Sequence, residues 1–325
     1  MTAVTVRVPA KVNLQLSVGP ARTDGFHELV TVFHAVSLYD EVTVAPAERG
    51  RVTVTGEGAD SVPSDDGNLA MRAAVALAKA AGLPPRRGPR VVSESSADGT
   101  GRPGIAIEIR KRIPVAAGLA GGSADAAAAL VACNELWQAG LSQQELAEVA
   151  ADIGSDVAFA LFGGTSVGQG RGERLTPALV TGQYHWVLAF SSAELLTADV
   201  YAACDRIRAA RGVIPAPPRP SAELMAALRS GDPAEVGPLL SNELQPAAVS
   251  LRPELRRTLA VGREYGALGA VVSGSGPTCA FLAADAQRAV DLVIALTGAG
   301  VCRSATRVVG PAQGAVVLGP SEVSR

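Results

Sequence analysis

Alternating apolar and polar residues open the chain and predict a first part made mainly of sheet. The stretch "AVTVRVPAKVNLQLSVG" alternates and then breaks at Gly19 and Pro20, which indicates a strand pair or a bent strand. "ELVTVFHAVSLYDEVTVAPAE" and "GRVTVTGEG" continue the pattern, and "IAIEIRKRIPV" repeats it further along the chain. We therefore expect long strands before the middle of the chain.

Helical spacing begins at "DDGNLAMRAAVALAKAAGL", where Asp65 or Asp66 is placed to cap a helix and Gly82 to end it. In "LSQQELAEVAADIG", Ser142 and Glu145 have the spacing of a capping box. Gly154 follows as the expected end of that helix. These stretches add helices to a part of the chain that is otherwise mainly sheet.

The second part of the chain repeats this mixture of strands and helices. "YHWVLAF" and "LGAVVSGSGPTCAFLA" predict strands, whereas "SAELMAALRSGD", "RPELRRTLAVGREYG" and "DAQRAVDLVIALTGAG" predict helices. The turn-rich region 163–177 separates the two parts. We expect an N-terminal domain over 1–168 and a C-terminal domain over 169–325, with the final strand able to return to the first domain.

Residues 84–104, "PPRRGPRVVSESSADGTGRPG", interrupt the first part with Pro, Gly, Ser and Arg. This composition cannot build a core, so the stretch is predicted to be a surface insertion. Its arginines allow a patch for an acidic ligand, although a solvated loop is the favoured interpretation.

Composition and charge exclude several classes of function. A net charge of -2 over 325 residues gives no electrostatic basis for binding nucleic acid or an anionic membrane. No apolar run reaches the roughly 20 residues of a membrane helix, and no signal-peptide pattern is present. The four cysteines lie far apart in apolar surroundings, which predicts reduced thiols and a cytoplasmic location.

A glycine-rich stretch, "IPVAAGLAGGSADAAAAL" over 113–130, is the main candidate for ligand binding. It lacks the lysine of the Walker loop, and its glycines are wrongly spaced for a dinucleotide fingerprint. Gly118, Gly121 and Gly122 nevertheless lead into an alanine-rich helix, with Ser123 placed to cap it and Asp125 in its first turn. Backbone amides at such a helix start bind anions. Close packing of the helix on a sheet explains the small residues equally well.

Three stretches in order resemble the motifs of the GHMP kinase superfamily. They are "VPAKVNLQLSVGPARTDGFHEL", the glycine-rich stretch and "VVSGSGPTCAFL". Within the superfamily, "PAKVNLQLSV", "DGFHEL" and "IGSDVAFAL" are most similar to the family of 4-diphosphocytidyl-2-C-methyl-D-erythritol kinases. The resemblance implies the α+β fold class: two α+β domains with the active site in the interdomain cleft and a left-handed βαβ unit in the N-terminal domain.

The resemblance also implies the chemistry. ATP and Mg²⁺ would be the cofactors, and the 2-hydroxyl of a small-molecule substrate with a cytidine diphosphate group would be phosphorylated, a step of the non-mevalonate isoprenoid pathway. Asp156 would be the base and Lys11 the charge stabiliser. Without the resemblance, Asp156 reads as a helix cap and Lys11 as a solvent-facing lysine at a strand end. No nucleic acid or membrane partner is implied, and we expect a monomer or a weak homodimer.

Matching positions supply the remaining site residues. Phe26 would stack on the cytosine, His27 would hydrogen-bond it, Tyr201 would cover its other face, and Asn13 would contact the methylerythritol. Core packing is the alternative for the two aromatic residues. The nucleotide would be held by Asn68 and Leu69 beside the adenine, and by a loop whose Ser123 also contacts Mg²⁺: Pro114, Val115, Ala116, Ala117, Gly118, Leu119, Ala120, Gly121, Gly122, Ser123 and Ala124.

The third motif contributes Ser273, Gly274 and Ser275, which would shape the cleft and support the glycine loop. A plain hairpin turn is the alternative. His34 and His185 lie in apolar surroundings and are expected to be satisfied structural residues rather than ligands.

The chain departs from the family pattern at a few places. Ala120 stands where a glycine is usual, Ala158 where a proline is usual, and the insertion at 84–104 is longer than the pattern requires. Two other functions stay open at this point: a GHMP kinase of another small alcohol, of the homoserine or mevalonate type, and a non-catalytic binding protein on the same fold. The presence of both Lys11 and Asp156 disfavours the second of these.

Overall fold

The computed structural model of the chain describes residues 3–23, 25–83, 104–319 and 322. Apart from Gly104, the predicted surface insertion at 84–104 lies outside the described residues. The described strands form two sheets, one with eight strands and one with four, and helices pack on both.

Two long strands are the centre of the eight-stranded sheet. β1 (Val4–Ala21) pairs antiparallel with β2 (His27–Pro46) along most of its length. β1 does not break at Gly19 and Pro20 as the sequence pattern suggested, but continues to Ala21. Register shifts, including one between Val18 and Ala21, bend the strand instead. Such bulges let a long strand curve without losing its partner.

The rest of this sheet forms around β2. β4 (Ile105–Lys111) pairs with β2 and runs parallel to β3 (Arg51–Gly56). Because α1 (Leu69–Ala80) lies between these parallel strands in the chain, the three elements are the βαβ unit. The left-handedness of this unit stays a prediction. β5 (Thr165–Gly170) pairs with the other half of β2, and β6 (Arg174–Pro177) extends the sheet from β5.

Helices α2 (Gly121–Trp137), α3 (Gln143–Ile153) and α4 (Val157–Phe162) pack with α1 over this sheet. α2 is almost entirely buried, because a run of alanines from Ala126 to Ala129 lets it approach its neighbours closely. The small-residue packing that the sequence allowed is therefore present.

The caps of α1 and α3 confirm the predicted ends of both helices and correct the predicted start of α1. Asn68, not Asp65 or Asp66, caps α1, and its Oδ1 accepts from Ala70 N at 2.9 Å. Asn68 Nδ2 donates to Pro63 O, which fixes the side chain at the helix start. Gly82 has a φ of 62° just after α1, as predicted for a helix end. The capping box of α3 is also confirmed.

The four-stranded sheet has the order β11, β7, β10, β9, and all neighbouring strands are antiparallel. Its strands are β7 (Tyr184–Phe190), β9 (Gly269–Val272), β10 (Cys279–Ala283) and β11 (Ser304–Gly310). The helices of this part are α5 (Thr197–Ala210), α6 (Ala222–Ser230), α7 (Pro233–Val236), α8 (Gln245–Leu251), α9 (Glu254–Glu264) and α10 (Ala286–Gly298). Short 3₁₀ turns lie at Ala59–Ser61 and Gly237–Leu239.

Later parts of the chain return to the first sheet. β8 (Ser241–Asn242) pairs parallel with β1, and β12 (Val316–Val317) pairs antiparallel with it. The domain division at 168/169 falls inside β5 and stays a prediction. The chain changes from one sheet to the other between Pro177 and Tyr184.

The four cysteines are free thiols, as predicted. Three are buried and Cys302 is half-buried, and burial raises the pKa of Cys279 to about 12. Over the part of the chain that the structure describes, no helix has both the length and the apolar character needed to cross a membrane.

Candidate active site

A cavity of about 870 Å³ opens between the glycine-rich loop, the middle of β1, the start of β2 and α5. It brings together predicted site residues that are far apart in the sequence. Those that line it are Lys11, Asn13, Phe26, His27, Asn68, Leu69, Pro114, Val115, Ala116, Ala117, Gly118, Ala120, Gly121, Gly122, Ser123, Asp156, Tyr201, Gly274 and Ser275.

Three predicted site residues lie behind this lining. The side chains of Leu119 and Ala124 are buried in the core. Ser273 is fully buried, and its Oγ donates to the Gly118 carbonyl at 3.1 Å. Leu119 contributes its carbonyl, which accepts from Lys11 N at 3.2 Å. These side chains support the loop rather than face the cavity.

Lys11 is a buried lysine in the middle of β1, with 6% of its surface exposed. Its Nζ donates to Asn13 Oδ1 at 2.7 Å and to the Gly118 carbonyl at 3.0 Å, and it lies 3.7 Å from Asp156 Oδ2. Burial lowers the pKa of Lys11, and the Asp156 carboxylate offsets only part of that effect. The lysine therefore does not point to solvent, as a strand-end lysine would.

Asp156 stands at the N-cap position of α4, yet its side chain makes no capping hydrogen bond. Its side chain is 28% exposed and lines the cavity with Oδ2 directed to Lys11. The interpretation of Asp156 as a helix cap is therefore wrong. The carboxylate is available to a ligand.

Asn13 has its amide held at both ends. Oδ1 accepts from Lys11, and Nδ2 donates to Thr31 Oγ1 at 2.7 Å. Thr31 in turn donates to the carbonyl of Gln15 at 2.8 Å. This buried chain of hydrogen bonds fixes the position of the Lys11 ammonium.

Close contact with the second part of the chain shapes the glycine-rich loop. Gly118 has a φ of 76°, and a Cβ there would stand 2.1 Å from the Ser273 carbonyl oxygen. Ala116 and Ala120 also have positive φ, 50° and 60°. Only glycine fits the space at position 118, and the two alanines adopt a backbone conformation that favours glycine.

The start of α2 differs from the sequence prediction. Ala120 is the N-cap residue, with no side-chain cap, and Ser123 lies inside the helix. The prediction of Ser123 as a cap is wrong, because the left-handed Ala120 starts the helix earlier. Without a side-chain cap, the first N–H groups of α2 keep their capacity to bind an anion in the cavity.

Asp125 is not in the first turn of α2, where the sequence placed it, but buried one turn further on. Its Oδ2 accepts from Lys111 Nζ at 2.8 Å, and the same ammonium donates to Asp40 Oδ2. Asp40 Oδ1 also accepts from the backbone N–H groups of Arg112 and Ile113, at 2.6 and 2.9 Å. Sequence reasoning missed Lys111 and Asp40. The available signal was the position of Lys111 in the alternating strand β4, where it falls on the buried face.

Two carboxyl groups share one ammonium in this buried cluster. Burial raises the pKa of the Asp125 carboxyl to about 8. Burial works against the charged form of Lys111, but the attraction of Asp125 and Asp40 outweighs it and raises the pKa of Lys111. Among the described residues, Asp125 Oδ1 has no hydrogen-bond partner. Two carboxyl groups and one ammonium would leave an excess buried negative charge, and the raised pKa of Asp125 acts against that charge.

Aromatic side chains occupy the end of the cavity near the start of β2. Phe26 is 51% exposed, so it is not packed in the core. The Arg171 guanidinium lies 5.2 Å from the centroid of its ring. Tyr201 stacks on His27, with ring centroids 5.1 Å apart, and His27 Nε2 lies 3.0 Å from Asp205 Oδ1. Arg171 and Asp205 line the cavity and were not predicted.

The third motif is both a hairpin turn and a wall of the cavity. It joins β9 to β10, and a Cβ on Gly274 would stand 3.1 Å from Lys11 Nζ. Ser275 Oγ lies 3.0 Å from Thr197 Oγ1 at the start of α5. Asn242, which the sequence did not single out, donates to the carbonyls of Val272 and Gly274 at 2.7 Å each and holds the turn in place.

His34 and His185, the two histidines in apolar surroundings, are not part of the cavity lining. His34 is fully buried and its Nδ1 lies 2.8 Å from Thr165 Oγ1, while burial lowers the pKa of His34 to about 3. His34 Nε2 and His185 Nδ1 have no hydrogen-bond partner among the described residues. The prediction that the hydrogen bonds of both rings are fully satisfied is therefore wrong.

Comparison with known proteins assigns the family. The model of the N-terminal domain of GHMP kinases matches residues 68–164, and the model of the C-terminal part matches residues 224–300. The chain belongs to the GHMP kinase family. This confirms the resemblance seen in the three sequence motifs and the two-domain α+β fold class.

Two relatives that are similar to this GHMP kinase over nearly its whole length have the same name. A 4-diphosphocytidyl-2-C-methyl-D-erythritol kinase from Mycolicibacterium gilvum is 54% identical over 98% of this chain and 94% of its own length. One of the same name from Nocardia farcinica is 53% identical over 98% and 97%. At this level of identity over nearly the whole chain, the relatives show that this protein is a small-molecule kinase.

Solved structures agree with the fold. A crystal structure of 4-(cytidine 5'-diphospho)-2C-methyl-D-erythritol kinase is 33% identical, covers 94% of this GHMP kinase and all of its own chain, and has a TM-score of 0.72. A homoserine kinase from Cytophaga hutchinsonii has a TM-score of 0.69 over 98% of both chains, at 21% identity. The second likeness concerns the fold alone.

Proposed function

We propose that this GHMP kinase transfers the γ-phosphate of ATP to the 2-hydroxyl of 4-diphosphocytidyl-2-C-methyl-D-erythritol, with Asp156 as base and Lys11 as charge stabiliser. The observation that carries the proposal is the 3.7 Å approach of Lys11 Nζ to Asp156 Oδ2 in a cavity that also holds an anion-binding loop and an aromatic cluster. The names of relatives above 50% identity support the choice of substrate.

The glycine-rich loop and the start of α2 would hold the triphosphate. The uncapped N–H groups of α2 face an anion with the positive end of a helix dipole. Asn68 and Leu69 line the same end of the cavity and would border the adenine. The loop would thus bind phosphate through backbone N–H groups and without a Walker lysine. Lys111, which also lines the cavity, is paired with two carboxyl groups.

Ser123 is suited to contact Mg²⁺, because its half-buried hydroxyl lines the cavity on the first turn of α2. Among the described residues, no group of three or more His, Cys, Asp or Glu side chains could hold a metal ion. Mg²⁺ accepts such a sparse protein shell when phosphate oxygens supply the other ligands. The ion would neutralise charge on the transferring phosphate.

Asp156 and Lys11 would act on the attacking hydroxyl together. Asp156 Oδ2 accepts its proton, and Lys11, fixed by Asn13 and the Gly118 carbonyl, stabilises the negative charge that develops on oxygen. Little else is required of the protein, because phosphoryl transfer depends mainly on positioning and charge neutralisation.

The aromatic end of the cavity would hold the cytosine. Phe26 offers an exposed π-face, and His27 and Tyr201 form a stacked pair beside it. Asn13 stands close to the reacting centre, where the methylerythritol would lie. The reaction belongs to the non-mevalonate isoprenoid pathway. A cytoplasmic location and a monomeric or weakly dimeric state remain predictions.

A coupled assay of ADP release tests the proposal with three alcohols: the cytidyl substrate, homoserine and mevalonate. We expect turnover with the cytidyl substrate only. Turnover with homoserine or mevalonate in its place would reject the proposed substrate and leave a GHMP kinase of another small alcohol. No turnover with any of the three would favour a non-catalytic protein on this fold.

A further inference from the structure

Cationic side chains are scarce in the described lining of the cavity. The lysines and arginine there are Lys11, Lys111 and Arg171. Lys11 faces Asp156, and Lys111 is bound to Asp40 and Asp125. The Arg171 guanidinium, in contrast, has no carboxylate within salt-bridge distance among the described residues. It is the one cation of this lining whose charge is not already matched by the protein.

A tight turn places Arg171 at the wall of the cavity. It lies between β5 and β6, where Arg171 N donates to Glu173 Oε2 at 2.7 Å and Gly172 N donates to the Gln169 carbonyl at 3.0 Å. The guanidinium lies 5.2 Å from the centroid of the Phe26 ring. This cation–π contact leaves the hydrogen-bonding edge of the guanidinium open to a ligand.

The same turn also reaches the proposed base. Gly172, the next residue, has a φ of 109°, and a Cβ there would stand 3.8 Å from the Ser155 Cβ. Ser155 precedes Asp156 in the chain and lines the cavity with it. The turn therefore contacts the aromatic cluster through Arg171 and lies beside the residue that precedes Asp156 through Gly172.

The chemistry of a nucleoside diphosphate ester matches this position. In the proposed substrate, a diphosphate joins the cytidine to the alcohol that is phosphorylated. If the base stacks at Phe26 and the hydroxyl reaches Asp156, the diphosphate must pass the turn that carries Arg171. We infer that Arg171 binds this diphosphate and selects nucleoside diphosphate esters over uncharged alcohols. The inference rests on the proposed function.

Isothermal calorimetry with cytidine, cytidine diphosphate and ADP tests this inference on the wild type and on Arg171→Gln. Charge-assisted hydrogen bonds contribute about 1.5–3 kcal/mol, so we expect Arg171→Gln to weaken cytidine diphosphate binding by roughly 10- to 100-fold. Cytidine and ADP should keep their affinities within about 2-fold, because neither needs the diphosphate contact. Arg171→Lys should fall between, since it retains the charge but not the planar fork.

Arg174→Gln on β6 is the matched control. Arg174 lies in the same hairpin, is exposed, and pairs with Glu28 instead of lining the cavity. We expect it to leave all three affinities unchanged. Thermal unfolding of each variant checks that the hairpin is intact.

Distinct outcomes overturn the inference. Equal affinity of wild type and Arg171→Gln for cytidine diphosphate shows that Arg171 does not bind the diphosphate. Equal losses for cytidine and cytidine diphosphate show that it only supports Phe26, and a loss confined to ADP assigns it to the phosphate donor. If the wild type binds neither cytidine nor cytidine diphosphate, the proposed function itself fails.

Discussion

The distance between Lys11 and Asp156 determines what the pair can do. At 3.7 Å it exceeds a charge-assisted hydrogen bond, while Lys11 donates its bonds to Asn13 and Gly118. The carboxylate is therefore not saturated by the lysine. A substrate hydroxyl placed at the pair can donate to Asp156 and have its oxygen stabilised by Lys11 at the same time.

Replacing Asp156 by Asn should lower kcat by on the order of 10²-fold or more, because the amide cannot accept the hydroxyl proton. The KM for ATP should change little, since the glycine loop is untouched. Steady-state ADP release measures both quantities. Asp152→Asn, the same change at an exposed carboxylate of α3, is the control. Near-normal turnover of Asp156→Asn would rule out its role as base.

Ala120 is a residue whose backbone conformation opposes its side chain. It has a φ of 60° and a ψ of 32°, a left-handed geometry that costs an L-residue with a Cβ roughly 1–2 kcal/mol. Glycine avoids this cost but has more freedom to lose on folding, by about 0.5–1 kcal/mol.

Ala120→Gly should therefore raise the free energy of unfolding by about 0.5–1 kcal/mol. Urea denaturation monitored by circular dichroism measures it. Ala226→Gly, at an exposed position inside α6, is the matched control and should instead lower stability by about 1 kcal/mol. A loss of stability in Ala120→Gly would contradict the strain argument.

At the scale of elements, the Lys111 cluster joins three of them: β2, β4 and α2. Asp40 lies on β2, Lys111 ends β4, and Asp125 is on α2. Asp40 accepts hydrogen bonds from Lys111 and from the backbone N–H groups of the next two residues, whereas one oxygen of Asp125 has no partner in the part of the chain that the structure describes. The two carboxyl groups are therefore not equivalent.

Asp40→Asn should lower the free energy of unfolding by about 3 kcal/mol or more, because it leaves a buried ammonium without its ionised partner. Asp125→Asn should change stability by less than about 1 kcal/mol near pH 7, because an amide resembles the protonated acid. Urea denaturation compares the two variants. Equal losses would show that both carboxyl groups are ionised in the folded protein.

The pH dependence of stability distinguishes the Asp125 proton further. Burial raises the pKa of Asp125 from 3.8 to about 8, so the folded protein binds a proton that the unfolded chain releases between these values. Its contribution to stability is thus complete at low pH and is lost as the pH rises towards about 8. Asp125→Asn should flatten this decline in urea denaturation from about pH 5 to pH 8.

At the scale of the whole molecule, β1 links the two parts of the chain. It carries Lys11 and Asn13, and it pairs with β2, β8 and β12. The segment 311–319 crosses back over the first sheet: Ala312 N donates to Ala35 O, Ala315 N to Ala160 O on α4, and Leu318 N to Thr5 O, at 2.8–3.0 Å. The end of the chain thus braces the helix whose N-cap is Asp156.

Ending the chain after Gly310 should lower the free energy of unfolding by about 3 kcal/mol or more, because several buried backbone hydrogen bonds and the buried Leu318 are lost. The matched control ends the chain after Gly319 and keeps those contacts. Urea denaturation of both chains gives the comparison. Equal stability of the two truncated chains would show that the segment is not a brace.

The sequence predicted those parts of the site that are local in the chain. Motifs identified Lys11, Asp156 and the glycine loop, and cap patterns identified the ends of α3. Lys111 and Asp40 were missed because they are 71 residues apart and only the pairing of β2 with β4 brings them together. Arg171 belongs to a turn whose residues contain no signal for the nearby Phe26 ring, so only the tertiary structure shows that contact.

The helices α5 and α8 were also not predicted. α5 is a largely exposed helix whose buried residues are Val200, Ala203 and Cys204, so its apolar periodicity is weak. α8 is short and includes a proline in its first turn. For both helices, packing on the second sheet and on β1 supplies what local propensity does not.

The contact of Gly118 with the Ser273 carbonyl has a consequence for the coupling of the two sheets. The loop before α2 and the turn between β9 and β10 meet at Gly118, where the Ser273 carbonyl leaves no room for a Cβ and Ser273 Oγ donates to the Gly118 carbonyl. A methyl group at position 118 would force the loop and the turn apart, although it would remove no polar side chain from the cavity. The conformation of the glycine-rich loop therefore depends on how the two parts of the chain pack against each other.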